Sequence, residues 1–291
     1  MSATAANALV KEILDDEDMK ELPNGKVWAN FGNGAYTVIH SANDVLPAGE
    51  YEVSVTPQNI KFIEKKPSSD ELMFTTKNSM ASKLSKEIEA FWGKADTFKQ
   101  HGFLHRRGYL LHGKPGCGKT CLIKQITTDF VEKDGIVIHA EGRINNVILG
   151  VNMLRSAEAK RRILVVFEDV EEICAYSETE LLSFLDGADQ TEHLISLGTT
   201  NYLSSLPERV VGRPRRFDRV VEIKPPDSEL RREYFGKKLG ITDEELEEWV
   251  SNSNGFSFAA MSDLVISVKC LDQKLEKAAA SLRTLLKEGD L

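Results

Sequence analysis

Cysteine is scarce in this chain, and long apolar runs are missing from it. The four cysteines, Cys117, Cys121, Cys174 and Cys270, form no C-x-x-C pair and have no His pair nearby, so the spacing of a zinc site is absent. Reduced thiols in a reducing compartment are the expectation. No segment reaches the length that spans a bilayer, so no membrane span is expected. The first residues lack the basic-then-apolar order of a secretory signal, which makes the expected location cytoplasmic. Basic excess is missing too: the net charge is −8. That removes the electrostatic term that dominates nucleic-acid affinity, and no basic stripe interleaved with aromatics replaces it. A protein is therefore the expected partner, and nucleic acid is not. Internal repeats and low-complexity tracts are absent as well. What is present is an apolar fraction of 41%, enough for a packed core. The length allows one sizeable domain or two to three small ones.

Along the chain four parts separate. Residues 1–24 read as a polar helix or tail with an acidic end. Residues 25–72 carry short alternating runs, KVWANF, AYTVIH, EYEVSVT and NIKFIEKK, parted by Gly, Pro and Asn turns. That pattern predicts a small antiparallel β module. Residues 73–225 predict an α/β domain. A helix over 82–92 is followed by apolar runs at 109–112, 136–140, 163–167, 194–200 and 220–223, with helical segments between them. Several of these runs are continuously apolar, as strands buried on both faces must be, and the alternation predicts a parallel sheet covered by helices. Residues 226–291 read as a small helical unit, with helical spacing over 243–250, 258–271 and 274–287.

The run Gly113-Lys114-Pro115-Gly116-Cys117-Gly118-Lys119-Thr120 fits G-x-x-x-x-G-K-[ST], with an apolar strand before it and a helical pattern after it. Glycines let backbone N–H groups converge on a phosphate, and the following helix points its N-terminus at the anion. Lys119 supplies a point charge for β/γ oxygens, and the Thr120 hydroxyl is a hard oxygen ligand for Mg²⁺. The expected nucleotide contacts are Gly113, Pro115, Gly116, Cys117, Gly118, Lys119, Thr120 and Cys121. ATP and Mg²⁺ are the expected cofactors.

The strand over 163–167 ends in Glu168-Asp169. Carboxylates delivered by a buried strand beside a phosphate loop can orient Mg²⁺, partly through water, and polarise an attacking water. Solvated acids at a strand end are the plainer alternative. The strand over 194–200 is followed by Asn201, whose amide would face a γ-phosphate or serve as a polar strand cap. Downstream, Arg213, Arg215, Arg216 and Arg219 place four guanidiniums in seven residues. In isolation they look like a nucleic-acid patch. The alternative is a finger aimed at the γ-phosphate in a neighbouring subunit, worth roughly 10³–10⁵ in rate.

The order phosphate loop, apolar-acidic strand, Thr-Asn strand and R-P-x-R-F-D-R resembles the AAA family of AAA+ ATPases, over about 98–261. GFLHRRGYLLHGKPGCGKT is most similar to the branch of the mitochondrial Rieske-protein translocase, without its membrane segment; that branch shares the Glu-Asp order. The resemblance implies a P-loop NTPase fold with a C-terminal helical lid. It makes Lys119 and Thr120 Walker A, Glu168 and Asp169 Walker B, Asn201 sensor 1, and Arg213 and Arg216 fingers acting in trans. Thr120 and Glu168 become the Mg²⁺ ligands, and Glu168, Asp169, Asn201, Arg213 and Arg216 the catalytic set. Gly187 matches the L-x-x-L-D-G helix end, and SFAAMSDL (257–264) the helix that closes over adenine. Hexameric self-assembly and remodelling of a protein client are implied. The chain departs from the pattern in three places. Glu168 precedes Asp169, the pore-loop position at Ile148-Leu149-Gly150 has no aromatic, and Phe258 replaces a small lid residue. Three functions stay open on the sequence: an ATP-hydrolysing remodelling ring, a nucleotide-gated scaffold with weak hydrolysis, and a nucleic-acid motor or loader.

Overall fold

The computed structural model describes residues 27–30, 36–39, 45–56, 59–65, 80–141, 143–187, 191–213 and 216–288. The tail expected over 1–24 lies outside them, as does Arg215. Two short strands, β1 (Val27–Asn30) and β2 (Tyr36–Ile39), pair antiparallel, and among the described residues only with each other. The main sheet has seven strands: β3 (Gly49–Thr56), β4 (Asn59–Glu64), β5 (Arg106–His112), β6 (Ile136–His139), β7 (Ile163–Phe167), β8 (Leu194–Thr200) and β9 (Arg219–Glu222), in the order β4-β3-β6-β7-β8-β5-β9. Every neighbouring pair runs parallel except β3 and β4.

The continuous apolar runs have a direct cause. Leu110, Ile136, Ile138, Ile163, Val165 and Phe167 face one core, beneath α4 (Ile144–Ala157) and α5 (Val170–Asp186). The alternate residues Tyr109, Leu111, Val137, Leu164 and Val166 face the other, beneath α1 (Met80–Trp92) and α3 (Lys119–Val131). Helices on both faces leave no polar side for a strand. A short helix, α2 (Ala95–Gln100), links α1 to β5, and a turn of helix, α6 (Glu208–Val211), precedes β9.

The last part is helical and has its own core. It comprises α7 (Ser228–Leu239), α8 (Asp243–Asn252), α9 (Phe258–Val265) and α10 (Leu275–Glu288), packed around Phe235, Trp249, Phe256, Met261 and Leu264. Local sequence starts each of the first three helices. Asp227 caps α7, Thr242 and Glu245 form a reciprocal capping box on α8, and Ser257 caps α9, each satisfying N–H groups that a helix start leaves open. No described helix is long and apolar enough to cross a membrane.

Two expectations are corrected by the pairing. Residues 25–72 do not form one module, because β3 lies parallel to β6, Gly49 against Ile136 through Glu52 against His139. The β3–β4 hairpin thus extends the main sheet, while β1 and β2 stay apart. Alternation in sequence sets which face of a strand is buried, not which strand it pairs with. The loop expected at Ile148-Leu149-Gly150 is interior to α4. Ile144, Val147, Val151 and Leu154 form one buried stripe, so the helix runs through without a break. A Cβ on Gly150 would stand 2.6 Å from a Val53 methyl. The glycine is there so that β3 and α4 can approach closely.

Candidate nucleotide-binding site

The sheet presents the ends of β5, β7 and β8 side by side, and each is followed by one part of the site. The phosphate loop leaves β5 and turns into α3. Gly116 and Gly118 both adopt positive φ, 75° and 96°, which glycine reaches at no steric cost. Lys119 is the first residue of α3 and is buried. Its ammonium donates to the Gly113 carbonyl at 2.7 Å and to Asn201 Oδ1 at 2.7 Å. Burial pulls its pKa down, against the nearby carboxylates of Asp169 and Glu171.

Asn201, just beyond β8, donates in turn from Nδ2 to Asp169 Oδ1 at 3.2 Å. Asp169 has left-handed backbone (φ 47°), and its N–H donates to Thr199 Oγ1 at 3.1 Å. The three expected residues Lys119, Asn201 and Asp169 therefore form one polar chain across the ends of three strands. A cavity of about 360 Å³ covers this chain, lined by Pro115, Gly116, Gly118, Lys119, Thr120, Cys121, Glu168, Asp169, Thr199, Asn201, Phe258 and Ala259. Lys119 is the only cation among these lining residues. The exposed Thr120 and Glu168 bring a hydroxyl and a carboxylate to the same space, the hard oxygens that Mg²⁺ takes alongside phosphate oxygens.

A second, larger cavity of about 560 Å³ adjoins it, floored by Cys117, Cys121, Leu122 and Ile223 and closed by Pro225, Pro226, Leu230 and Phe258. Its apolar walls suit a flat heterocycle. Cys117 is buried, which raises its thiol pKa above the ordinary value. Gly113 lines neither cavity. It packs on the end of β9, where a Cβ would stand 2.2 Å from the Ile223 carbonyl oxygen, and its own carbonyl holds Lys119.

These features agree with what comparison with known proteins finds. Residues 109–225 match the family model described as "ATPase family associated with various cellular activities (AAA)". The chain carries an AAA ATPase domain. It is similar to a proteasome-associated ATPase of Frankia alni, 27% identical over 208 residues, 59% of this chain and 34% of that protein. A proteasome-associated ATPase of Kineococcus radiotolerans is 27% identical over 179 residues, 50% of this chain and 31% of that one. A proteasome-activating nucleotidase of Saccharolobus islandicus is 24% identical over 289 residues, 84% of this chain and 72% of that protein. The chain thus spans about a third of the two bacterial relatives.

Within the AAA domain the two expected fingers differ. Arg213 is exposed. Arg216 is turned inward, its guanidinium paired with Asp186 and bonded to the Arg209 carbonyl. Neither lines the cavity of its own chain. Other site residues escaped the sequence reading. Glu171 accepts the Asn201 N–H at 3.0 Å, and Met80 and Lys83 of α1 reach the apolar cavity. Thr199 carried a signal, as it stands two residues before Asn201 on the same strand. Met80 and Lys83 carried none, lying thirty or more residues from the loop they face. His139, at the end of β6, pairs with Glu50 at 2.6 Å.

Proposed function

We propose that this chain binds ATP with Mg²⁺ and hydrolyses it as one member of a ring, hexameric by resemblance, coupling turnover to remodelling of a protein partner. The observation that carries the reading is the chain Lys119–Asn201–Asp169 beneath the phosphate loop. Asp169 is held by Asn201 and is one methylene shorter than a glutamate. It accepts the proton of a water oriented at the γ-phosphorus, while Lys119 neutralises the phosphate oxygens. Thr120 and Glu168 would hold Mg²⁺ with the phosphates, and the ion would supply charge neutralisation there. Arg213, exposed and absent from its own cavity, completes the site of a neighbouring copy. A protein client goes with the acidic charge, and the names of the relatives point the same way. A cytoplasmic setting goes with four free thiols.

One observation favours a second reading, a nucleotide-gated scaffold with slow turnover. The helix α4 is unbroken where a threading loop was expected, so any remodelling here uses another surface. The nucleic-acid reading is weakened, because two of the four clustered arginines, Arg216 and Arg219, pair with Asp186 and Glu87 of the same chain.

Asp169→Asn decides between turnover and gating. Asparagine tolerates left-handed backbone, so the fold is kept while the base is lost. On the hydrolysis reading phosphate release falls by about 10²–10⁴ and ATP affinity measured by calorimetry stays near wild type. If the wild-type protein itself releases no more than one phosphate per site in an hour, the scaffold reading replaces it.

A further inference from the structure

Between α6 and β9, Arg209, Arg216, Phe217 and Asp218 are each fixed to other parts of the chain. Arg209 donates from Nη2 to Glu178 Oε2 at 2.7 Å. Arg216 is 4% exposed. Its Nε and Nη2 donate to the two oxygens of Asp186, both at 2.7 Å, and Nη1 donates to the Arg209 carbonyl. Phe217 is buried against Gly198, where a Cβ would stand 2.8 Å from its ring. Asp218 Oδ2 accepts the Gly108 N–H at 2.8 Å. Glu178 and Asp186 both belong to α5, the helix whose N-cap is Asp169. Arg213 lies between the two anchors, exposed.

We propose that Arg216 is a positioning residue and does not reach a neighbour's nucleotide: paired with Asp186, it ties its end of the segment to α5, as Arg209 does at the other end, and so fixes Arg213 as the guanidinium offered to the next copy. This rests on the ring reading above. The fork to Asp186 and the bond to the Arg209 carbonyl engage all three guanidinium nitrogens inside the chain and fix the direction of the group. Reaching across an interface would break both bonds to Asp186 and the bond to the Arg209 carbonyl, and would draw a buried side chain out of its own chain. The pair also holds the Asp186 carboxyl below the usual carboxylate range.

The test is a double-mutant cycle of Arg216→Gln and Asp186→Asn, with Arg213→Gln alongside. In steady-state hydrolysis at ring-forming concentration, Arg213→Gln should lose about 10³-fold or more in kcat. Arg216→Gln and Asp186→Asn should each lose about tenfold to a hundredfold with KM little changed, the cost of a misplaced group, and the double variant should be no worse than the poorer single. Bound-nucleotide stoichiometry on the same preparations should stay at the wild-type value. A stoichiometry that falls in step with kcat means lost folded protein and overturns the positioning role. So does an Arg216→Gln as inactive as Arg213→Gln beside an unaffected Asp186→Asn, or no effect of either anchor variant. Melting of the nucleotide-free variants is read in parallel. Non-additive loss supports the brace and additive loss overturns it, even in a protein found not to hydrolyse ATP, where the hydrolysis reading fails by itself.

Discussion

Phe258 is where the lid meets the phosphate loop. It lines both cavities, its N–H donates to the Gly116 carbonyl at 2.9 Å, and its ring stands 2.8 Å from where a Cβ on Gly118 would be. Its ring also packs near Tyr234, with centroids 6.0 Å apart. A ring at the junction of an apolar slot and a phosphate cradle is placed to stack on a base. Base–aromatic stacking is worth about 1–3 kcal/mol, so Phe258→Ala should weaken ATP binding by roughly tenfold in calorimetry. Inorganic triphosphate, which has no base, should bind both proteins equally. Equal ATP affinity in the two proteins would remove the stacking role. The phosphate loop, Glu168-Asp169 and Asn201 could be read from sequence because each is a local pattern whose chemistry lies within a few consecutive residues. The roles of Asp186 and Glu171 could not. Each acts on a partner thirty residues away, Arg216 and Asn201 respectively, and a lone carboxylate on a helix looks like any solvated acid until the fold sets its neighbour.

At the level of elements, the starts of β5 and β8 are joined by a pair of histidines, His105 buried and His193 half-buried. His105 Nε2–H donates to the Phe91 carbonyl at 3.0 Å, so its Nδ1 accepts from His193 Nδ1, 3.1 Å away. Burial lowers the pKa of both rings, and each neighbouring His105 and Arg155 charge lowers that of His193 further. Both take up protons less readily in the fold than in the unfolded chain, where they do so near pH 6.5. Folded pKa values below the unfolded ones mean that stability is full above about pH 6.5 and is lost as pH falls below it. The nucleotide-free protein should therefore melt at lower temperature at pH 5.5 than at pH 7.5, and His105→Phe should flatten that dependence. An equally steep profile in His105→Phe would assign the effect elsewhere. A second element-scale prediction concerns the contact of α4 with β3. Gly150→Val places methyls where Val53 already sits. Overpacking of this kind costs about 1–3 kcal/mol, read as a fall of about 2–4 °C in Tm per kcal/mol. An unchanged Tm would show that the hairpin gives way freely. The strands β5 to β9 were foreseen because apolar runs bounded by turn residues leave few other choices. The edge pairing of β3 was not, because nothing in EYEVSVT distinguishes a strand that closes a small sheet from one that extends a large one.

For the whole molecule, the N-terminal third divides at a place the sequence does not mark. Among the described residues, β1 and β2 pair only with each other. β3 is an inner strand, with Tyr51 and Val53 in the main core. Its Glu50 accepts from Thr127 of α3 at 2.9 Å and pairs with His139 at the end of β6. After β4, Lys65 is bridged to Glu141 just beyond β6. The hairpin thus belongs to the nucleotide-binding body and ties its sheet to the helix of the phosphate loop. A chain starting at residue 45 should keep a cooperative melt and its ATP affinity. A chain starting at residue 66 loses a large aromatic and a β-branched core residue and bares the edge of β6. Large-to-small changes at single core sites cost about 2–5 kcal/mol each, against a total stability of about 5–15 kcal/mol. That protein should show no cooperative transition by calorimetry and should aggregate through the bared edge. If instead it melts like the longer one and binds ATP as tightly, the hairpin is an appendage, and residues 25–72 regain the independence that the sequence suggested.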